Sequence, residues 1–444
     1  MFPSLSRTLL SPLALGALLI LGPALRDAGA ETEEAPDFAA TTLSGDWGGR
    51  RSAAWQQGFQ WEAGLKVDAQ RSRGAARDGT RTISHLDLKL RADLDKAFGW
   101  ENAVAYVNVI DNRGAGPNTR VDSLMGVSNI EVPVPTARLF HAWLQKGFLD
   151  DRFSLLAGIY PIDSEFFALE SASLLLHPAY GTPADLALTN TPSVFNNAAF
   201  GLRGKWYSPD RTVYAMGALM DGVPNDPRHP RASTVRLSHR DGVFAIAELG
   251  WMPLETGHAF EPTDPATVRP TPALQAHERY EGVSKYAFGL WRYSSRQPDL
   301  VDVDAAGDPV KRHSQGGYLL AERTLWGLGD DAQRNVTAFA RYTFADRDTI
   351  AIDRSWNLGL RVRGPLASRP LDTLLFGWTR GLLADKYRRL EPGVGAAEDA
   401  FELSWRFELA PGVAWQPDLQ RIRRPGGRAA DAVTVLGMRL DLVF

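Results

Sequence analysis

The chain contains no cysteine in its 444 residues. That excludes disulfides, thiolate nucleophiles and cysteine-ligated metals, so an exported chain of this composition must hold itself together by backbone pairing. Charge of one sign is lacking too. The 49 Lys and Arg nearly balance the 52 Asp and Glu, for a net charge of −3, which gives no electrostatic footprint for a nucleic-acid partner. Histidine is sparse, with eight scattered residues and no H-E-x-x-H or similar ligand spacing. No G-x-S-x-G nucleophile elbow occurs, and G-V-G-A-A at 393–397 reads as a loop rather than a dinucleotide fingerprint. Asp163 and Glu165 form a carboxylate pair, but at a strand end without a shielded cleft. The expectation is no enzyme, no cofactor and no metal.

Long apolar runs are missing, with one exception at the N-terminus. Arg7 precedes an apolar stretch from Leu9 to Leu25 that is interrupted by Pro12, Gly16, Gly22 and Pro23, and Ala28-Gly29-Ala30 is a small-x-small cleavage site. Residues 1–30 therefore read as a signal peptide. The stretch is too short and too proline-broken for a retained span of ~20 residues. With no other candidate helix, a membrane-resident mature chain has to be a closed barrel, because lipid tolerates only helices and closed sheets.

What is present is alternation. The last residues run A-V-T-V-L-G-M-R-L-D-L-V-F, with Leu436, Met438, Leu440, Leu442 and Phe444 on one face and Gly437, Arg439, Asp441 and Val443 on the other. Period two means a strand with two unlike faces. The same pattern is clear at 61–68, 85–94, 197–206, 356–363 and 401–409, and weaker at 102–110, 137–146, 153–160, 212–220, 243–251, 285–294, 316–326, 335–345, 371–381 and 412–422. Segments of about ten residues suit tilted transmembrane strands. The predicted fold is all-β: a transmembrane antiparallel barrel of about 16 strands over 59–444, preceded by a tether and short helix over 31–58. Ser52 to Gln57 predicts that helix, with Gly58 as its stop and Trp47 and Trp55 on one face. The 13 Trp residues suit membrane–water interfaces. A soluble Trp-rich β protein shares the alternation and the composition.

Two stretches are too irregular for strands. Residues 163–196 are apolar enough to fold into the barrel as a constriction loop. Residues 253–285, with 222–242, read as extracellular loops. In a barrel of this size the polar faces line an aqueous channel rather than a packed core. The inward set includes Lys66, Asp68, Lys89, Arg91, Arg203, Arg361, Arg406 and Glu408. A lining of both signs favours neither anions nor cations strongly, yet offers many donors and acceptors to neutral, hydroxyl-rich solutes. The plainer reading is that these residues only hydrate the lumen. Arg421, Arg423, Arg424 and Arg428 precede the last strand on what should be the extracellular side. They suit lipopolysaccharide phosphates or acidic sugars, or form a solvated loop.

Several stretches in order carry a resemblance: L-S-G-D-W-G-G-R at 43–50, L-L-A-G-I-Y-P-I-D-S-E-F-F at 155–167, G-G-Y-L-L-A-E-R-T-L-W at 316–326, F-A-R-Y-T-F-A-D at 339–346, G-P-L-A-S-R-P-L-D at 364–372, F-E-L-S-W-R at 401–406, W-Q-P-D-L-Q at 415–420 and P-G-G at 425–427. Together with the last strand they resemble the carbohydrate-selective porins of the OprB type. The resemblance implies a 16-stranded bacterial outer-membrane barrel that passes glucose-like sugars by facilitated diffusion through a charged and aromatic constriction. It makes Glu165, Phe166 and Asp46 site candidates. The implied partners are small neutral sugars, outer-membrane lipid and lipopolysaccharide, and the barrel assembly machinery through the strand ending at Phe444. Monomer and homotrimer stay equally open. The alternatives are a general or anion-selective porin on the same barrel and, further off, a secreted glycan-binding β protein.

Overall fold

A computed structural model describes residues 35–75, 77–189, 192–253, 283–329 and 331–444. The signal-peptide expectation for 1–30 falls outside them. Sixteen strands run in sequence: β1 (Phe59–Arg73), β2 (Gly79–Asp93), β3 (Ala103–Gly114), β4 (Ala137–Phe148), β5 (Phe153–Tyr160), β6 (Ala199–Tyr207), β7 (Val213–Asp221) and β8 (Val243–Trp251) form the first half. The second half is β9 (Ser284–Val303), β10 (Pro309–Leu328), β11 (Asp331–Ala345), β12 (Ile352–Arg363), β13 (Thr373–Leu383), β14 (Ala397–Ala410), β15 (Val413–Arg423) and β16 (Val433–Val443). Each pairs antiparallel with its neighbours, and β1 closes on β16. Every alternating segment named from the sequence overlaps one of these strands.

The period-two pattern decides which face meets what. Leu88, Leu202, Leu219, Leu249, Leu290, Leu403 and Leu436 all project outward and are exposed, forming the apolar band that a lipid core requires. The outward Trp residues gather near the strand ends: Trp61, Trp206, Trp251, Trp326 and Trp415 are exposed at the rim holding both chain termini. That is a girdle at one interface. At the seam, Asp68 stands opposite Arg439 in register, and the Phe444 amide donates to the Ala63 carbonyl at 2.8 Å.

Strand parity orients the loops. Outer-membrane barrels carry both termini on the periplasmic side, which places the 222–242 connection outside the cell, as expected. The connection between β8 and β9 begins and ends at the terminus-bearing rim. The end of β8 and the start of β9 therefore lie at that rim, because an even-numbered strand returns the chain to the rim it started from, and the extracellular-loop expectation for 253–285 falls on residues that are mostly outside the described ones. The conformation of 254–282 lies outside the described residues.

The N-terminal segment also differs in detail. Its helix runs Arg50–Gln56, and Trp47 precedes it in a left-handed turn, so Trp47 and Trp55 do not share a helix face. Trp47 instead stacks on outward-facing Trp61, with ring centroids 6.3 Å apart, and Trp55 lies under the Lys96 ammonium at 3.5 Å. Arg51 reaches the Trp61 carbonyl. The segment therefore rests against the outer rim of the barrel, beside the girdle.

Candidate permeation pathway

The lumen is not uniform. Strands β4 to β10 turn apolar side chains inward, among them Trp143, Tyr214, Met216, Phe244, Ile246, Trp291 and Tyr318, and these pack with Phe166, Phe167, Leu169, Leu175, Tyr180 and Leu186 from the connection between β5 and β6. The expectation of an aqueous channel all round is corrected here. One side of the barrel is a packed hydrophobic core between wall and loop, because strands there such as β7 and β8 are apolar on both faces.

Polar side chains on the wall hold the loop by its backbone. Glu248 accepts from the Phe167 amide at 2.8 Å, and from the Tyr214 and Tyr318 hydroxyls at 2.5 Å each. Both rings lie flat over glycines: a Cβ on Gly250 would sit 2.1 Å from the Tyr214 ring, and one on Gly289 would sit 2.1 Å from Tyr318. Glu322 accepts from the Glu170 and Ser171 amides at 2.9 and 2.6 Å. Glu402 accepts from the Leu176 and His177 amides at 2.6 and 2.9 Å. In the opposite sense, Arg341 donates to the carbonyls of Phe167, Ala179 and Gly181 at 2.8, 2.6 and 2.7 Å. Charge-assisted bonds of this kind are about twice as strong as neutral ones. A second loop, 115–136, is held likewise: Glu398 accepts from the Leu124 and Met125 amides, and also from the Gly426 amide in the connection between β15 and β16. None of these four glutamates stood out in the sequence. The available signal was an isolated Glu at a lumen-facing position of an otherwise apolar strand, as in Ala247-Glu248-Leu249.

Within the loop itself, burial pushes the Asp163 and Asp185 carboxyls up to about 6. Asp163 accepts from the Thr182 hydroxyl and the Phe195 amide, both at 3.1 Å. Burial likewise pushes His177 down to about 3, so that ring is neutral at physiological pH.

The remaining side of the lumen is open and charged. A cavity of about 450 Å³ is lined from β1, β2 and β12 to β16, with Glu170, Ser173 and Leu174 from the loop on one side. That volume falls in the ~300–1,000 Å³ range of small-molecule sites. Its bases are Lys66, Lys89, Arg361, Arg363, Arg406 and Arg439, and its acids Glu62, Asp87, Glu170 and Asp441. Bases and acids interleave in pairs: Lys89 Nζ lies 2.7 Å from Glu62 Oε1, His85 Nε2 lies 2.7 Å from Asp87 Oδ2, and Arg406 bridges Glu408 at 2.7 Å and Asp441 at 2.9 Å. Among the described residues no group of carboxylates and histidines is arranged to hold a metal.

Of the residues singled out from the sequence, Lys66, Lys89, Arg361 and Arg406 line this cavity. Arg91 and Glu408 are half-buried on the lumen faces of β2 and β14 but lie off its lining. Four are out of a solute's reach. Glu165 and Arg203 form an ion pair at 2.9 Å with side chains about 1% exposed; Gln145 and Ser154 take the remaining guanidinium donors, and the pair ties the loop to β6. Phe166 is wholly buried in the apolar cluster. Asp68 is sealed beneath Arg439 and Ser128. Asp46 is not in the lumen at all. Its carboxylate accepts from the Ser52 amide and hydroxyl at 2.8 and 2.9 Å, holding the N-terminal turn on the rim.

Residues 77–444 match the family of carbohydrate-selective porins, OprB family. The chain belongs to that family. It is a bacterial outer-membrane channel and not an enzyme. Porin B of Pseudomonas aeruginosa is 23% identical over 97% of both chains, and the putative porin QuiX of Acinetobacter baylyi is 22% identical over 90% of this chain and 93% of that one. The high-pH structure of Pseudomonas putida OprB superposes with a TM-score of 0.77 at 18% identity, covering 92% of this chain and all of that one. The likeness in that case is one of fold. The OprB-type porin described here therefore shares that barrel fold.

Proposed function

We propose that this OprB-type channel passes small neutral sugars by facilitated diffusion along the charged side of the lumen, with the 163–196 segment as its constriction. The supporting observation is the interleaving of acids and bases around the 450 Å³ cavity. Paired charges cancel over a few ångströms, so the channel presents no strong field to an ion. The same groups offer fixed donors and acceptors to hydroxyls that exchange water for protein one at a time. The contact residues under this reading are Lys66, Lys89, Arg361 and Arg406, together with Glu62, Asp87 and Asp441.

The test is liposome swelling with glucose, arabinose and sucrose, alongside single-channel reversal potentials. Swelling that saturates with glucose, together with a reversal potential near zero in a salt gradient, supports sugar selectivity. Equal swelling by all small solutes without saturation refutes it. A second reading, a mildly anion-selective pore, draws on the excess of bases over acids in the lining and predicts a reversal potential of anionic sign. The strand ending at Phe444 is also proposed as the segment that engages the barrel assembly machinery, which deletion of Phe444 tests through loss of folded barrel.

A further inference from the structure

The arginines before the last strand do not form one patch. Arg424 turns to Asp399 at 2.5 Å and Arg428 pairs with Asp122. Arg421 and Arg423 point outward from the extracellular end of β15 and are exposed. Two further exposed arginines, Arg71 and Arg73, project outward from the extracellular end of β1. The register joins them: Arg73 pairs across to Thr434 of β16, and Thr434 pairs in turn to Arg421. Arg73 and Arg421 thus share one row two strands apart, roughly 10 Å, while Arg423 lies one outward position nearer the extracellular end and Arg71 one nearer the midplane, each about 7 Å along its strand, with Arg71 opposite Leu436. None of these four arginines forms an ion pair with a carboxylate among the described residues; Arg421 donates to the Thr434 hydroxyl. The nearest outward acid, Asp399, is opposite Arg423 in register, but Arg424 and Arg380 already occupy it.

Directly below lies hydrocarbon. One outward row nearer the midplane, Leu419 pairs with Leu436, and both are exposed, as is Met438. Arg73, Arg421 and Arg423 above this lipid-facing apolar strip, and Arg71 at its upper edge beside Leu436, are costly to leave bare beside a membrane, where neighbouring water is limited. The strip selects a ligand that carries phosphate above and acyl chains below. Guanidinium forks donate bidentately to phosphate oxygens, and the roughly 10 Å between Arg73 and Arg421 is wide enough for two phosphates on one saccharide headgroup.

We propose that Arg71, Arg73, Arg421 and Arg423 form a docking site for a phosphorylated glycolipid of the outer leaflet. Its saccharide phosphates sit on Arg73 and Arg421, flanked by Arg423 above and Arg71 below, and its acyl chains lie along Leu419, Leu436 and Met438. The site straddles the β1–β16 seam, so the bound lipid bridges the two ends of the barrel sheet. The proposal rests on the outer-membrane setting and not on the sugar reading, so each can fail without the other.

The experiment uses the full-length protein purified in mild detergent, with binding of defined lipids followed by native mass spectrometry. Bisphosphorylated lipid A is expected to remain bound. Lipid A of the same acyl composition with both phosphates removed is expected to bind at least about tenfold more weakly. Replacing all four arginines with Gln should abolish the difference between the two lipids, whereas replacing Arg388 and Arg389 on the outer loop with Gln should leave it intact. Inorganic phosphate at millimolar concentration should not displace the lipid, because it lacks the acyl chains. Equal binding of the two lipids by the unaltered protein overturns the proposal even if the fourfold variant fails to fold. Retention of the difference in a folded fourfold variant, or full displacement by inorganic phosphate, overturns it as well. Sugar-driven liposome swelling is expected to be unchanged in the fourfold variant.

Discussion

Replacing Arg341 with Met is the sharpest test of how the inner loop is held. The guanidinium is buried at 1% exposure and donates to three loop carbonyls, with Nε directed to Asn357 Oδ1 at 3.1 Å. Methionine fills much of the same volume but leaves the carbonyls of Phe167, Ala179 and Gly181 without this donor. Breaking a buried charged cluster by removing one partner costs about 3–5 kcal/mol. The wall does not depend on this residue, since β11 keeps its ladders to β10 and β12. The loss therefore falls on local opening of the loop, and at 1.4 kcal/mol per tenfold it raises the open population by roughly two to three and a half orders of magnitude. Hydrogen exchange at the amides of residues 166–181 should accelerate by that order, while exchange in β14 to β16 is unchanged. Single-channel conductance should rise and become noisier as the loop leaves the lumen. Acceleration of less than about threefold, with unchanged conductance, would refute the idea that this arginine holds the loop.

Other expectations follow from the same contacts. Gly289→Ala should push the Tyr318 ring off its glycine and away from Glu248, lowering thermal stability by about 1–3 kcal/mol, read as a lower temperature for loss of heat-modifiable gel mobility. The raised carboxyls of Asp163 and Asp185 bind protons more tightly in the folded loop than in an unfolded chain. Their contribution is complete below their ordinary value near 3.8 and is lost as pH rises through about 6. Loop exchange, corrected for the intrinsic rate, should then be slower at pH 4.5 than at pH 7.5, and the difference should shrink in Asp163→Asn; an unchanged difference refutes the assignment to Asp163. Lys89→Gln removes one base from the lining and should move the reversal potential toward cation preference. A shift toward anions would contradict the placement of Lys89. The absence of native cysteine allows a direct check of strand parity: a single cysteine replacing the exposed Asp210, in the turn between β6 and β7, should label only when reagent reaches the periplasm, and labelling on intact cells by an impermeant maleimide would contradict the parity.

The barrel was legible in the sequence, and the degree of legibility has a physical cause. Strands such as β1, β2, β12, β14 and β16 separate lipid from water, so Leu86, Leu88 and Leu90 alternate cleanly with Asp87 and Lys89. Strands such as β7 and β8 separate lipid from packed loop. Tyr214, Met216 and Met220 face inward there, and Leu219 outward. Both faces are apolar, the alternation fades, and those strands read as weak. The same blurring hid the packed half of the lumen. Parity identified Lys66, Lys89, Arg361 and Arg406 as inward but said nothing about occlusion. Arg203 and Asp68 have the same parity, yet Glu165 covers the first and Arg439 the second, and those partners come from 38 and 371 residues away. Asp46 was carried to the lumen by resemblance alone, and the Ser52 contact that fixes it on the rim is local.

The glutamates that hold the inner loop touch amide N–H groups, which every residue except proline possesses. Glu322 is indifferent to whether position 170 bears a carboxylate or a hydroxyl, and Glu402 to what stands at 176. Anchorage and lining are thereby separated on the same peptide: the wall reads the main chain, and the channel reads the side chains. Substitutions of the loop residues that line the cavity, such as Ser173 and Leu174, leave these main-chain bonds in place. New specificities are then open to single substitutions, whereas the wall glutamates are the positions that cannot drift.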